Sequence, residues 1–199
     1  MLSRCIFGSS AGWAHFRPVS LDLSPSLTNL ELLFILCIMK IEYFHASKYG
    51  NGAMVAEEFK KLMAARDVTV NVHHVRDARP KEMPPADLYV FSSPGRMGKP
   101  RGCVRRFLKK ALLPAGTKYA LLITEAAPQP DKKTGRMPTE EERAKWQRVI
   151  PIMNEILQKK GLVNVAEGKT QVTSIKGPLE EDWQKKVEDF ASQIPIPSG

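Results

Sequence analysis

From Met39 onward the chain alternates short apolar runs with longer amphipathic ones. Five runs read as strands: IEYFH (41–45), VTVNVHHV (68–75), LYVFSS (88–93), YALLIT (119–124), and a last one made from LVNVAEG (162–168) and TQVTSI (170–175). Three of them are nearly continuous apolar runs, the pattern of strands covered on both faces in a parallel sheet. Helical periodicity fills the intervals. Val55, Phe59, Leu62 and Met63 share one face over 53–65. Val104, Phe107, Leu108, Ala111 and Leu112 do the same over 101–113. A third amphipathic stretch opens at Thr139, which has capping-box spacing to Glu142. Its apolar face is Trp146, Val149, Ile150, Met153 and Leu157, and Pro151 inside it predicts a kink or a split. The last helix is expected to start at Pro178, just after Gly177, and to bury Leu179, Trp183, Val187 and Phe190.

Strands alternating with helices predict an α/β fold with right-handed crossovers. Only RDARPKEMPPAD (76–87) joins the second and third strands, room for a turn of helix at most. Residues 39–199 hold no internal repeat or low-complexity linker and read as one domain. The 43% apolar and 26% charged content belongs to a globular chain rather than a disordered one. Residues 1–38, rich in Ser, Leu and Pro, read as an N-terminal extension upstream of a protein that begins at Met39, outside the fold. A membrane-associating or targeting segment and an extra structural element are the other readings of that stretch. Its apolar end, LLFILCI (32–38), is too short to cross a bilayer, so stable membrane insertion is not expected.

Charge then narrows the chemistry. The formal net charge is +9, from 30 basic and 21 acidic residues. Removing Arg4, Arg17, Asp22 and Glu31 leaves 28 against 19, so the excess belongs to 39–199. No acidic residue lies between Asp87 and Glu125, an interval that contains Arg96, Lys99, Arg101, Arg105, Arg106, Lys109, Lys110 and Lys118. The aromatic residues fall in core positions and do not interleave with these cations, so nucleic acid is not the expected partner. Cys5, Cys37 and Cys103 form no disulfide framework or metal pattern, and His15, His45, His73 and His74 have no metal-ligand spacing. The cysteine usage fits a reducing cytoplasm.

In an open parallel sheet, ligands bind outside the carboxyl ends of the strands. The loop after the first strand, ASKYGNG (46–52), offers the Ser47 hydroxyl, the Lys48 charge, the Asn51 amide and glycines that let main-chain N–H groups turn inward before a helix start. That composition suits a phosphate, although Gly50 and Gly52 alone would also make a tight turn and helix cap. The loop after the third strand, SSPGRMG (92–98), leads into the cationic interval, and Arg96 and Met97 are its candidate ligand contacts. Neither loop carries a nucleoside-triphosphate or dinucleotide fingerprint.

SKYGNG (47–52) resembles the S/T-x-T/Y-G-N-T phosphate loop of the flavodoxins, and SPGRMG (93–98) is similar to the S/T-P-T-R-F/M-G loop of flavodoxin-like FMN proteins. The resemblance runs from Met39 to about Ile194. It implies a flavodoxin-like open twisted five-stranded parallel sheet, strand order 2-1-3-4-5, with helices on both faces and FMN at the carboxyl edge. It further implies that Ser47, Lys48, Tyr49, Gly50, Asn51 and Gly52 surround the phosphate. Ser93, Pro94, Gly95, Arg96, Met97 and Gly98 would line one side of the ring, and Thr124, Glu125, Ala126 and Ala127 would approach the other. Gly52 and Gly95 stand where the family commonly has threonine, and the loop at 124–135 is longer and less glycine-rich than usual and has no aromatic residue.

The function this implies is electron transfer by an FMN-binding protein, with no side chain acting as acid, base or nucleophile and no metal. The basic surface implies an acidic redox partner and a less negative potential than an acidic flavodoxin has. An NAD(P)H-dependent quinone or FMN oxidoreductase is the second reading, and nothing in the sequence marks a nicotinamide site. A flavodoxin-fold interaction module without cofactor is the third.

Overall fold

The central strands form because their residues are apolar on both faces and can be covered from both sides. A computed structural model describes residues 39–131, 133–174 and 176–197. The expectation for residues 1–38 lies outside the described residues. Strand β1 (Lys40–His45) leads through the 46–50 loop into helix α1 (Asn51–Ala64), which returns to β2 (Thr69–His74). Next come β3 (Leu88–Phe91), a small hairpin of β4 (Gly95–Arg96) and β5 (Lys99–Pro100), and α2 (Gly102–Lys110). Then follow β6 (Lys118–Ala126), α3 (Glu140–Trp146), α4 (Val149–Gln158), β7 (Val163–Val172) and α5 (Trp183–Ser192).

β2, β1, β3, β6 and β7 lie side by side in that order, and every neighbouring pair is parallel. Counting only the strands of this sheet, the order is 2-1-3-4-5, as expected. The register fixes which residues share a face: Ile41 lies beside Val70 on one side and Leu88 on the other. One face carries Ile41, Tyr43, Val70, Val90 and Leu122 against Val55 and Phe59 of α1 and Val187 and Phe190 of α5. The other carries Phe44, Phe91, Leu121 and Ile123 against Phe107 and Leu108 of α2 and Val149, Met153 and Leu157 of α4. Burying each of these large side chains contributes about 1.5–3 kcal/mol.

No helix follows β2. The 76–87 connector runs across the sheet instead and packs Ala78, Met83 and Ala86 on the second core. It is pinned by the Tyr89 hydroxyl donating to the Pro84 carbonyl at 2.6 Å and by Leu112 N–H donating to the Pro80 carbonyl at 2.9 Å.

Four boundaries differ from the sequence expectation, each for a visible reason. The last helix begins at Trp183 rather than Pro178. The 178–180 segment is held along the end of β7, with Thr173 N–H donating to Pro178 and Glu180 N–H to Gln171. The third amphipathic stretch does split, but at Gln147–Arg148, and Pro151 sits harmlessly in the first turn of α4. Trp146, expected in the core, is 52% exposed because it ends α3 before that split. Leu112 is also exposed, since α2 stops at Lys110 and the chain leaves the helical path at Ala111. The fourth strand runs on to Ala126, so Thr124, Glu125 and Ala126 are strand residues rather than loop.

Candidate functional site

Glycine and hydroxyl chemistry shape the first loop. Gly50 has φ +91° and ψ −27°, a left-handed conformation that caps α1, and its carbonyl accepts from Ala53 N–H at 2.8 Å and Met54 N–H at 3.0 Å. Ser47 Oγ accepts from Gly50 N–H at 3.0 Å, which leaves its own hydroxyl proton free to be donated. In the first turn of α1, the Asn51 and Gly52 N–H groups have no intrahelical acceptor. Lys48 Nζ stands 5.1 Å from the centre of the Tyr49 ring, which keeps a cation at the loop's edge. Gly52 is buried against the loop: a Cβ there would meet the Ala46 carbonyl at 3.3 Å. The Asn51 amide donates to the Lys176 carbonyl at 3.2 Å, tying the loop to the segment after β7.

The second loop is a hairpin. Gly95 pairs with Pro100 and Arg96 with Lys99, and the two turn residues, Met97 (φ 50°) and Gly98 (φ 69°), both have positive φ. This is the backbone demanded by the tightest two-residue hairpin turn. Met97 projects from the tip, 91% exposed. Ser93 is fully buried and holds both ends of the hairpin: its Oγ accepts from Arg101 N–H at 3.1 Å and donates to the Pro94 carbonyl at 3.1 Å. The third segment is joined to it directly, with Thr124 N–H donating to Ser93 at 3.3 Å and Pro94 bridging Thr124. The longer loop beyond is closed on itself by Asp131, whose carboxylate accepts from Thr134 N–H at 2.8 Å, Thr134 Oγ1 at 3.0 Å and Lys133 N–H at 3.0 Å. Those hydrogen bonds, the Thr134 N–H first, hold its carboxyl below the usual range.

These segments enclose a cavity of about 510 Å³ at the carboxyl edge of the sheet. The first loop contributes Ser47, Lys48, Tyr49, Asn51 and Gly52, and the hairpin contributes Pro94, Gly95, Arg96 and Met97. Thr124 and Ala126 come from β6. Its size is within the range of small-molecule sites. Five of the expected residues do not line it. Gly50 shapes the first loop and Ser93 braces the hairpin. Gly98 packs against the Trp146 carbonyl, and Glu125 and Ala127 lie behind the wall. Ala127 N–H donates to Val172 at 2.9 Å.

Two lining residues were not expected, Arg101 and Val172. Arg101 stood in the cationic interval, but only the hairpin folds it back towards the cavity. Val172 ends β7, and the rule that neighbouring strand ends share a site would have reached it had the fifth strand been included.

Glu125 is the anomaly of this region. It is 5% exposed, Oε1 has no hydrogen-bond partner, and burial pushes its carboxyl upward against the weaker opposing pull of Lys169. Among the described residues, no group of His, Cys, Asp or Glu could hold a metal ion. No described helix is long and apolar enough to cross a membrane.

No protein-family model and no curated protein matches the sequence. Solved structures do match the fold. Flavodoxin 2 from Bacillus cereus is 21% identical with a TM-score of 0.58, over 77% of this chain and 96% of that one. Flavodoxin 1 from the same organism is 16% identical with a TM-score of 0.58, over 77% and 95%. The rubredoxin oxygen:oxidoreductase of Desulfovibrio gigas is 11% identical with a TM-score of 0.55, over 83% of this chain but 38% of that larger one. Fold and strand order therefore define this chain as flavodoxin-like in architecture.

Proposed function

We propose that this chain binds FMN in the cavity at the carboxyl edge and transfers electrons to a protein partner. The observation that carries this reading is the meeting of the first loop and the hairpin around one cavity, with Lys48, Arg96 and Arg101 at its walls. The residues fit the cofactor's chemistry. The Ser47 hydroxyl and the first-turn N–H groups of Asn51 and Gly52 are donors for a phosphate, and Lys48 adds a charge. Pro94, Gly95, Met97, Ala126 and Val172 supply the apolar wall that a ring requires. The flavin would supply the redox chemistry, and the protein would bind, orient and bias it electrostatically.

The first loop departs from the expected donor set at one place, since Gly52 brings no hydroxyl; the Asn51 amide spends one of its two N–H groups on Lys176 and keeps the other. Phosphate binding thus leans on main-chain N–H groups, Ser47 and Lys48. The exposed cations Arg96 and Lys99 beside the mouth favour an acidic partner, because complementary charge steers encounter. NAD(P)H and quinone as substrates form the secondary reading, for which a pocket closed by a further subunit would be needed.

The test is reconstitution. Purified protein incubated with FMN and desalted should retain flavin absorbance in about equimolar amount, released on heating. A colourless protein after this treatment favours the cofactor-free interaction module, to which the missing hydroxyl at Gly52 already lends weight.

A further inference from the structure

We propose that Glu125 is the proton-holding group of this site, a carboxyl enclosed behind Gly95 that gains and loses a proton as the charge in the adjoining cavity changes. The proposal rests on the flavin reading above and assigns this residue a role that reading leaves open.

Glu125 lies in β6, with its side chain directly behind a glycine of the cavity wall. A Cβ built on Gly95 would lie 3.0 Å from Glu125 Cγ, 3.4 Å from Glu125 Oε1 and 3.2 Å from Val149 Cγ2. No side chain separates the carboxyl from the Gly95 backbone, whose other surface lines the cavity. A side chain at position 95 would crowd the Glu125 carboxyl, which packs on the bare Gly95 backbone.

Gly95 of β4, directly against the carboxyl, carries no charge, and Val149 of α4 packs on the same point of the Gly95 backbone. Gln171, the register partner of Glu125 on β7, is uncharged as well. Lys169 of β7 is the charged side chain that acts on it, and that side chain is exposed and screened by water. A buried carboxylate with an unpartnered oxygen is costly, and a leucine would fill the space without that cost. Ionisable groups kept in such places beside a cleft are candidates for function.

The coupling is electrostatic and its balance is simple. An electron delivered to the cavity by an external reductant makes the site more negative. The Glu125 carboxylate then takes one proton from solvent and becomes the neutral acid. Removing the electron returns that proton to solvent. Linkage makes the effect reciprocal, so protonated Glu125 favours the reduced site.

Two measurements test this. In the cofactor-free protein, carbon-13 NMR of labelled glutamate carboxyls should show one group titrating above the ordinary glutamate range, absent from E125Q. In the flavin-loaded protein, with dithionite as reductant, the midpoint potential should fall more steeply with pH in the wild type than in E125Q across that window. The difference should approach the tenfold proton activity per pH unit expressed as about 59 mV. A Glu125 signal in the ordinary range overturns the proposal without any variant being made. Equal slopes in the two loaded proteins also overturn it and leave flavin binding intact. Failure to take up flavin shows as missing absorbance and removes both readings together.

Discussion

Gly98 is pressed against the carbonyl of Trp146, so closely that a Cβ on Gly98 would lie 1.4 Å from that oxygen. The Gly98 carbonyl in turn accepts from Arg148 N–H at 2.8 Å. One glycine therefore joins the cavity hairpin to the break between α3 and α4. Its φ of 69° is also in the region that side chains disfavour.

Replacing Gly98 with alanine should accordingly do more than strain a turn. The clash is with backbone, so either the hairpin or the 146–148 junction must move. Destabilisation of about 2–4 kcal/mol is expected by urea unfolding. Flavin affinity should fall with it, because Arg96 and Met97 ride on the displaced hairpin. An alanine variant of unchanged stability would show that this junction is not a packing constraint.

Ser47 provides a sharper test of the proposed phosphate site. Its Oγ accepts from Gly50 N–H and has a proton left to donate. S47A should weaken FMN binding about tenfold while leaving riboflavin, which has no phosphate, nearly unaffected. Fluorescence-quenching titrations with both ligands measure this. An equal loss for both would move the residue's role from phosphate recognition to loop shape. The local hydrogen bond itself is worth about 1 kcal/mol of stability.

The fold was legible because its strands are short apolar runs and its helices keep clean periodicity. Val55 and Phe59, or Val104 and Phe107, announce their faces by spacing alone. What the sequence concealed depends on contacts made at a distance. Trp146 keeps helical spacing with Met153, yet the split at Gln147 turns it outward. Pro178 looks like a helix start, but β7 claims the backbone groups around it. At the site, both loops were recognisable as loops, and the structure brings Ser47 and Arg96 to one cavity. Composition could not show that Ser93 braces a hairpin, that Asn51 reaches Lys176, or that Arg101 folds back towards the cavity. Each depends on a partner far away along the chain or on a turn whose φ values are set by tertiary packing.

If the cavity binds flavin as proposed, Arg101 is the residue through which the basic character of the chain should reach it. It lines the cavity, and none of the described ion pairs involves it. A single charge about 10 Å away at an effective dielectric of 20 is worth about 1.7 kcal/mol before screening. For a one-electron couple this is about 70 mV. R101Q should therefore lower the midpoint potential by tens of millivolts at low salt, and by less as added salt screens the charge. A potential unmoved by the substitution, with flavin still bound, would show that the guanidinium does not act on the ring.

Glu42 should behave as the opposite of Glu125 when the pH is changed. It is 1% exposed in β1, with Asn71 and His73 of the neighbouring β2 beside it. Burial alone would raise its carboxyl, but hydrogen bonds from Asn71 (2.9 Å), Lys40 (3.0 Å) and His73 outweigh that and hold it below the usual range. A carboxyl depressed by folding contributes stability that is fully present above its unfolded value. That contribution is lost as pH falls through the folded one. Wild-type stability should therefore decline on acidification from about pH 5 downward, and E42Q should lose this part of the decline. At pH 7 the substitution should cost about 2 kcal/mol, the scale of hydrogen bonds to a charged group. Urea unfolding midpoints measured from pH 3 to 7 check both parts. A wild type and E42Q that fall in parallel with acid would mean that the three donors do not stabilise the ionised form.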